Sequence, residues 1–285
     1  MNILENDYLK VTISNTGAEI RSVYDKKDQR ERMWSGDESH WNRVSPVLFP
    51  IVGKVKEGFY EIDGERYELS QHGFLRDQQF GVIEERADLI KFAYISDEAM
   101  LRVYPYKHMV LITYQLIKSS VKVVWSIYNL DDKTMHYSIG AHPSFLIDEK
   151  KDYEFSYPNE TRSYSIGLKE GHVFDAEKIQ LENDRVVPEF FANNAVIYQD
   201  LSSVILSSTD GSDYVKVNFA GFPFVGLWSP YYKDKTIAPF VCIEPWLGIA
   251  DEYDSDHDFV NKIGMMELPI GEFSHHGYEM TFHEQ

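Results

Sequence analysis

Apolar and polar side chains alternate along many short segments of this chain, which is the periodicity of β-strands. The clearest segments are Leu89–Ile95, residues 110–117 and residues 121–130. Helical periodicity is confined to candidate turns at residues 189–192 and 256–263. A chain of this kind has to bury one face of each strand, so we predict an all-β fold of antiparallel strands stacked as two large sheets.

Two hairpins can be placed from their turn residues. Asp63-Gly64 separates residues 60–62 from residues 65–69, and this dipeptide adopts positive φ at little cost, as a tight turn requires. Lys118-Ser119-Ser120 separates residues 110–117 from 121–130. Further strands are predicted at residues 11–13, 196–198, 204–207, 214–219, 224–228, 240–244 and 278–283.

The chain has 285 residues with neither a fixed-period repeat nor a Pro/Gly/Ser-rich linker, so we predict one domain over residues 1–285. Cys242 is the only cysteine, which rules out an internal disulfide and fits a reducing cytosol. No signal segment opens the sequence, and its apolar runs are too short to cross a bilayer. We therefore expect a soluble, cytoplasmic protein.

The chain is strongly acidic, with a formal net charge of −18. The negative electrostatic field of such a chain repels nucleic acid and anionic membrane surfaces, so neither is expected as a partner. It also opposes anionic small molecules unless local arginines offset it. The oligomeric state is left open between monomer and dimer.

Two histidines lie beside Gly or Pro, which favours a fixed backbone at a turn or strand end. His72 belongs to the sequence QHGF at residues 71–74, with Arg76 four residues further on. His142 belongs to GAHP at residues 140–143. Each histidine taken alone fits a structural loop position as well as a functional one.

A carboxylate follows the almost wholly apolar strand at residues 240–244. Burial disfavours the charged form of Glu244, so its pKa should rise and make it a better base near neutral pH. Pro245 biases Glu244 towards extended backbone. Trp246 offers a flat apolar face to the C–H side of a pyranose, although core packing is an equally ordinary use of tryptophan.

Other motifs do not support a metal or cofactor. The acidic run at residues 251–258 lacks the glycine and the final glutamate of a calcium loop, and we interpret it as a solvated loop in which Asp251 braces Trp246 or Glu244. His275-His276 is not spaced for one metal ion, and no glycine-rich phosphate loop follows a strand. We therefore predict neither a metal nor a cofactor.

Four segments stand in a fixed order: RVSPVLFP at residues 43–50, HGFLR at 72–76, HP at 142–143 and EPWLGIAD at 244–251. Together they resemble the aldose 1-epimerase (galactose mutarotase) superfamily and, within it, the bacterial LacX-like branch. The resemblance covers nearly the whole chain. It implies a β-supersandwich fold and interconversion of the α and β anomers of a hexose, without metal or nucleotide.

The resemblance also implies roles for single residues. Glu244 would be the general base at the anomeric hydroxyl, His142 would protonate the ring oxygen, and His72 would hold or polarise the same region. Arg43 would bind substrate hydroxyls. The further candidate substrate contacts are Phe74, Arg76 and Trp246. Asn194 stands where relatives usually carry an acidic substrate-binding residue, so an amide replaces a charge there.

Three other functions fit parts of the pattern. Basic residues gather at Arg43, Lys54, Lys56 and Arg76, as a hexose-6-phosphate 1-epimerase would need. Glu244 with a second carboxylate such as Asp251 would suit a glycosidase. A non-catalytic carbohydrate-binding protein could use the same sandwich.

Overall fold

The computed structural model describes residues 1–283, and regular structure there is almost entirely β. In chain order the strands are β1 Asn2–Glu5, β2 Leu9–Ile13, β3 Ile20–Asp25, β4 Arg30–Glu31, β5 Val47–Leu48, β6 Phe59–Ile62, β7 Glu65–Glu68, β8 Gly81–Glu85, β9 Leu89–Ile95, β10 His108–Ile117, β11 Ser120–Asn129, β12 Met135–Tyr137, β13 Gly140–Ala141, β14 Ser144–Leu146, β15 Tyr153–Ser156, β16 Arg162–Lys169, β17 His172–Gln180, β18 Asp184–Arg185, β19 Val196–Gln199, β20 Ser203–Ser208, β21 Tyr214–Asn218, β22 Phe224–Trp228, β23 Phe240–Trp246, β24 Met266–Leu268 and β25 Phe273–Thr281. Short 3-10 helices occur at Lys56–Gly58, Leu75–Asp77, Met100–Arg102 and Pro188–Phe191. Residues 1–283 contain no α-helix, which confirms the all-β prediction.

Two large antiparallel sheets carry most of the strands. One has nine strands in the order β18-β15-β20-β21-β25-β11-β10-β9-β8. The other has eight, with β17-β16-β19-β22-β23-β13-β5 side by side and β14 also paired to β23. A single apolar core contains residues of both, for example Trp125 of β11 and Ile243 of β23. Smaller sheets are formed by β1–β4, by β6 with β7 and by β12 with β24.

Both predicted hairpins are confirmed. Asp63 and Gly64 have φ of 53° and 80°, the positive values that a two-residue turn between β6 and β7 demands. The second turn is shorter than predicted, because Ser120 already pairs with Ile117 and leaves only Lys118-Ser119 as the loop.

The central strand β23 runs two residues past its predicted end at Glu244, so Pro245 and Trp246 belong to it. Every residue of β23 is buried. Val241 and Ile243 enter the main core, and since side chains alternate along a strand, Glu244 and Trp246 project together from the opposite face. That face carries the candidate site.

Two predictions need correction, and one hairpin was not predicted. Residues 256–263 form turns and no helix, because the Asp256 and Asp258 side chains accept backbone N–H groups two residues ahead and compete with helical bonding. The last strand is Phe273–Thr281 rather than 278–283. The β16–β17 hairpin was not predicted, since β17 is largely exposed and lacks apolar alternation. Among the described residues, no helix has the length and apolar character needed to cross a membrane.

Candidate active site

A cavity of about 390 Å³, here called the Glu244 cavity, opens on the eight-stranded sheet. Its lining includes seven residues singled out from the sequence: Lys54, His72, Arg76, His142, Asn194, Glu244 and Trp246. Sequence reasoning assigned no role to the lining residues Trp41, Gln71, Leu168 and Trp228. A volume of this size with mixed aromatic and polar walls is typical of a small-molecule site.

Strand register brings His142 opposite Glu244. Gly140 of β13 pairs with Trp246, and Ser144 of β14 pairs with Cys242, so the residue midway between them faces residue 244. His142 Nε2 lies 3.1 Å from Glu244 Oε2, with side-chain exposures of 9% and 2%. Two residues separated by about a hundred positions therefore form a direct, water-shielded contact.

Burial acts on both members of this pair by favouring their neutral forms. It raises the pKa of Glu244 well above its ordinary value, while the Trp246 indole opposes the shift. Burial also lowers the pKa of His142 to about 3. The contact is therefore one in which a carboxyl and an imidazole hold a shared proton, rather than two isolated charges.

Two tryptophans pack against the His142 imidazole. The Trp41 ring lies with its centroid 4.6 Å away at 32°, and Trp228 presents an edge at 5.5 Å and 85°. These rings fix the orientation of the imidazole and exclude water on its two sides.

His72 lies in a turn with positive φ of 68°. The Gly53 N–H donates to its Nδ1 at 3.1 Å, so the neutral ring carries its proton on Nε2. Burial, reinforced by His142, lowers the pKa of His72 well below its ordinary value. The two histidine rings stand perpendicular with centroids 5.7 Å apart. His72 is thus a neutral imidazole beside the Glu244–His142 pair, and its Nε2 lies 3.1 Å from the side-chain amide nitrogen of Gln71.

The Trp246 indole lies flat across neighbouring strands because glycines leave room for it. A Cβ at Gly226 would come within 2.4 Å of the Trp246 ring, and one at Gly140 within 2.7 Å. Both glycines belong to strands paired with β23. Any larger residue at either position would push the indole off the sheet.

The cavity also has a cationic wall formed by Arg76 and Lys54. Arg76 Nη2 donates to the Gln71 carbonyl at 2.8 Å, while its buried Nε has no hydrogen-bond partner among residues 1–283. None of the ion pairs formed by the described residues includes Arg76 or Lys54. This wall therefore carries positive charge that no neighbouring carboxylate directly neutralises.

Two predicted substrate contacts lie outside the cavity lining. Arg43 donates to Asp77 at 2.7 Å, although its charge still contributes to the lowered pKa values of His72 and His142. Phe74 packs in the core beside Phe49 at 6.2 Å between ring centroids. Asn194 does line the cavity, from a backbone position with φ of 79°.

Asp251 is not part of a solvated loop. It is buried and forms an ion pair of 2.9 Å with Lys262, whose side chain is 2% exposed. It also accepts the Lys56 backbone N–H at 2.8 Å, and Lys262 donates to the Ile249 carbonyl. The pair therefore fixes the Ile249–Ala250 segment, which lines the cavity.

Donor atoms of three potential metal ligands, His142, Cys242 and Glu244, lie within 4.8 Å of one another, and His142 and Glu244 also line the cavity. Burial raises the pKa of the Cys242 thiol well above its ordinary value, and Glu244 adds to the effect. A thiol has to lose its proton to bind a metal, so burial disfavours Cys242 as a metal ligand.

Comparison with known proteins places this geometry in a family context. The family model for aldose 1-epimerase matches residues 2–253. The chromosomal LacX protein of Lactococcus lactis subsp. lactis is 29% identical over 298 residues, covering 98% of each chain.

Two solved structures of galactose mutarotase-like proteins are also similar to this chain over almost its whole length. The X-ray structure of a galactose mutarotase related enzyme from Lactobacillus acidophilus is 34% identical, with a TM-score of 0.92 over 99% of this chain and 97% of that one. A galactose mutarotase-like protein from Lactobacillus casei is 27% identical, with a TM-score of 0.92 over 99% of this chain and all of the other. Over the greater part of its length, this chain belongs to the aldose 1-epimerase family.

Proposed function

We propose that the protein interconverts the α and β anomers of an aldohexose by opening and reclosing the pyranose ring. The observation that carries the proposal is the direct contact between Glu244 and His142 on the wall of a sugar-sized cavity. Anomer exchange needs a base at the anomeric hydroxyl and an acid at the ring oxygen. Both oxygens are bonded to the same carbon, so the two catalytic groups have to be neighbours.

The Glu244–His142 pair supplies both protonation states at once. Movement of the shared proton from the carboxyl to the imidazole creates a carboxylate base and an imidazolium acid without any exchange with solvent. Glu244 then takes the proton of the anomeric hydroxyl. As the C1–O1 bond gains double-bond character, the bond from C1 to the ring oxygen breaks and His142 delivers its proton to that oxygen.

The product of this step is an open-chain aldehyde. Rotation about the bond between C1 and C2 presents the other carbonyl face to the same hydroxyl, which attacks C1 and returns its proton to His142. Glu244 gives a proton back to O1, so both residues end in their starting states. His72 would donate to a sugar oxygen beside the pair, and Trp246 would cover the apolar face of the ring.

The test is polarimetric relaxation of freshly dissolved α-glucose and α-galactose, corrected for the buffer-catalysed rate. The relaxation constant should rise in proportion to protein concentration for at least one of the sugars. Unchanged relaxation at every protein concentration would refute anomer exchange of these hexoses.

The pH profile provides a second test. Because burial lowers the pKa of His142 to about 3 and raises the pKa of Glu244, the pair retains one shared proton over the interval between these two pKa values. We expect kcat/KM to be level in that interval. It should fall in acid, where a second proton leaves no base, and in alkali, where loss of the shared proton leaves no acid. An acid limb at the ordinary histidine value of 6.5 would contradict this assignment.

A phosphorylated hexose is a second candidate substrate, favoured by Arg76 and Lys54 in the cavity wall. If their charge meets a phosphate, Arg76→Ala should lower kcat/KM for glucose 6-phosphate roughly ten- to hundredfold, since hydrogen bonds to charged groups are worth about 1.5–3 kcal/mol. The effect on glucose should be several-fold smaller. Anomer exchange of both sugars can be followed by NMR.

Arg86→Ala is a suitable control, because Arg86 is exposed and pairs with Glu84 on β8 of the other large sheet. Equal losses for both sugars on Arg76→Ala would argue for a free hexose. A glycosidase has less support, because Glu244 is the only carboxylate among the described residues that line the cavity, whereas glycoside hydrolysis uses two.

A further inference from the structure

A second cavity of about 470 Å³, here called the Phe174 cavity, lies on the same sheet as the Glu244 cavity. Polar and aromatic side chains dominate its rim: Phe174, Asp175, Gln199, Glu252, Tyr253 and Asp254. Apolar residues such as Ile166 and Phe224 form its floor. The volume is large enough for one more sugar ring.

The two cavities follow each other along one face of the sheet. On β19, Ile197 lines the Glu244 cavity and Gln199, two residues further on, lines the Phe174 cavity. On β22, Trp228 lines the Glu244 cavity and Phe224 lines the Phe174 cavity. Residues separated by an even number of positions share a face of a strand. Ile249 lines both cavities and so marks their common border.

The rim of the Phe174 cavity combines an exposed aromatic ring with carboxylates and an amide, which are the types of side chain that bind sugars. Phe174 is 59% exposed, and its ring stands edge-to-face with Tyr253 at 5.9 Å. The Lys169 ammonium lies 3.9 Å from the centre of the Tyr253 ring and restrains it. An exposed aromatic ring covers the C–H face of a pyranose, while carboxylates and the Gln199 amide accept and donate hydrogen bonds to hydroxyls.

The two cavities differ in the charge of the side chains that line them. No lysine or arginine of the described chain lines the Phe174 cavity, which carries the carboxylates of Asp175, Glu252 and Asp254. The Glu244 cavity has Arg76 and Lys54 instead. The Lys169 ammonium is a cation at the rim, 5.1 Å from the centre of the Phe174 ring and 3.9 Å from that of the Tyr253 ring. Three carboxylates outnumber it among the described residues, so the Phe174 cavity disfavours anionic groups and suits a neutral, polyhydroxylated ring.

We propose that the Phe174 cavity binds the second glycosyl unit of a reducing disaccharide, whose reducing ring lies at Glu244 and His142. This inference rests on the proposed anomer exchange, because that reaction requires a free anomeric hydroxyl. The second ring must then be attached through another hydroxyl of the reducing sugar. It would extend over the border at Ile249 into the Phe174 cavity.

The test compares lactose, maltose and cellobiose with glucose and galactose as substrates. Phe174→Ala should lower kcat/KM for at least one disaccharide about five- to tenfold, the usual worth of an aromatic contact, and leave both hexoses within about twofold. Ala176→Trp, which places an indole in the same cavity, should lower disaccharide turnover further. Phe273→Ala is the matched control, since Phe273 is similarly exposed at 51% but lies on the nine-stranded sheet.

Calorimetry on the Glu244→Gln background separates this inference from the reaction itself. Tighter binding of a disaccharide than of its reducing hexose, lost on adding Phe174→Ala, supports the second cavity even if wild-type protein exchanges no anomers. Equal affinity for disaccharides and hexoses, or equal losses for both on Phe174→Ala, would overturn it.

Discussion

Glu244→Gln is expected to lower the protein-catalysed rate of hexose anomer exchange by about a hundred- to ten-thousandfold, the usual contribution of a positioned acid or base. Glutamine has nearly the same shape and can keep a hydrogen bond to His142 Nε2, so the cavity should persist. Its amide cannot take the proton of the anomeric hydroxyl. The measurement is the polarimetric relaxation constant per mole of protein, with α-glucose and α-galactose.

Glu85→Gln is the control for this experiment, because Glu85 is an exposed glutamate on β8 of the other large sheet. It should retain the wild-type rate. His142→Gln should cause a loss of similar size to Glu244→Gln, and the double variant little more, because the two residues act as one unit. A Glu244→Gln protein with wild-type relaxation would remove Glu244 from the chemistry.

Lys262→Met is expected to lower the free energy of unfolding by about 3–5 kcal/mol, the usual cost of removing one partner of a buried ion pair. Methionine fills much of the volume of lysine but leaves the Asp251 carboxylate buried without its cation. The carboxylate would then keep only two hydrogen bonds, one from the Lys56 backbone N–H and a long one from the Ser255 hydroxyl. Urea unfolding monitored by tryptophan fluorescence would give the change.

The exposed Lys233 provides the matched control, and Lys233→Met should change stability by no more than about 0.5 kcal/mol. Adding Asp251→Asn to Lys262→Met should recover part of the loss, since the charge left unpaired is then removed. A loss below about 1 kcal/mol for Lys262→Met alone would mean that the pair is screened by solvent.

Much of the fold follows from the sequence because alternation and turn chemistry are local properties. Asp63-Gly64 specifies its hairpin without reference to the rest of the chain, and β9 can be read from its alternating residues. The β16–β17 hairpin could not be found in this way. β17 is held by pairing to β16 along its length and is largely exposed, so its sequence carries little of the apolar pattern that marks a buried strand.

The candidate site is predictable in composition but not in arrangement. The histidines and Glu244 stand in recognisable segments, yet the 3.1 Å contact depends on the register of β13 and β14 on β23, which is a property of long-range pairing. Trp41 and Trp228 carry no local signal of their position against His142. For Arg43, the position in the sequence gives no information about its bond to Asp77, and Arg43 is not among the residues that line the cavity.

The Glu244–His142 pair and the Phe174 cavity lie in different parts of the eight-stranded sheet. Glu244 belongs to β23, which has neighbours on both sides, whereas Phe174 belongs to β17 at the margin. Substitutions at a margin disturb few neighbouring side chains, while those at the middle disturb many. On the proposed assignment, changes in one peripheral hairpin would alter which sugars a relative accepts and would leave the chemical step at β23 unaltered.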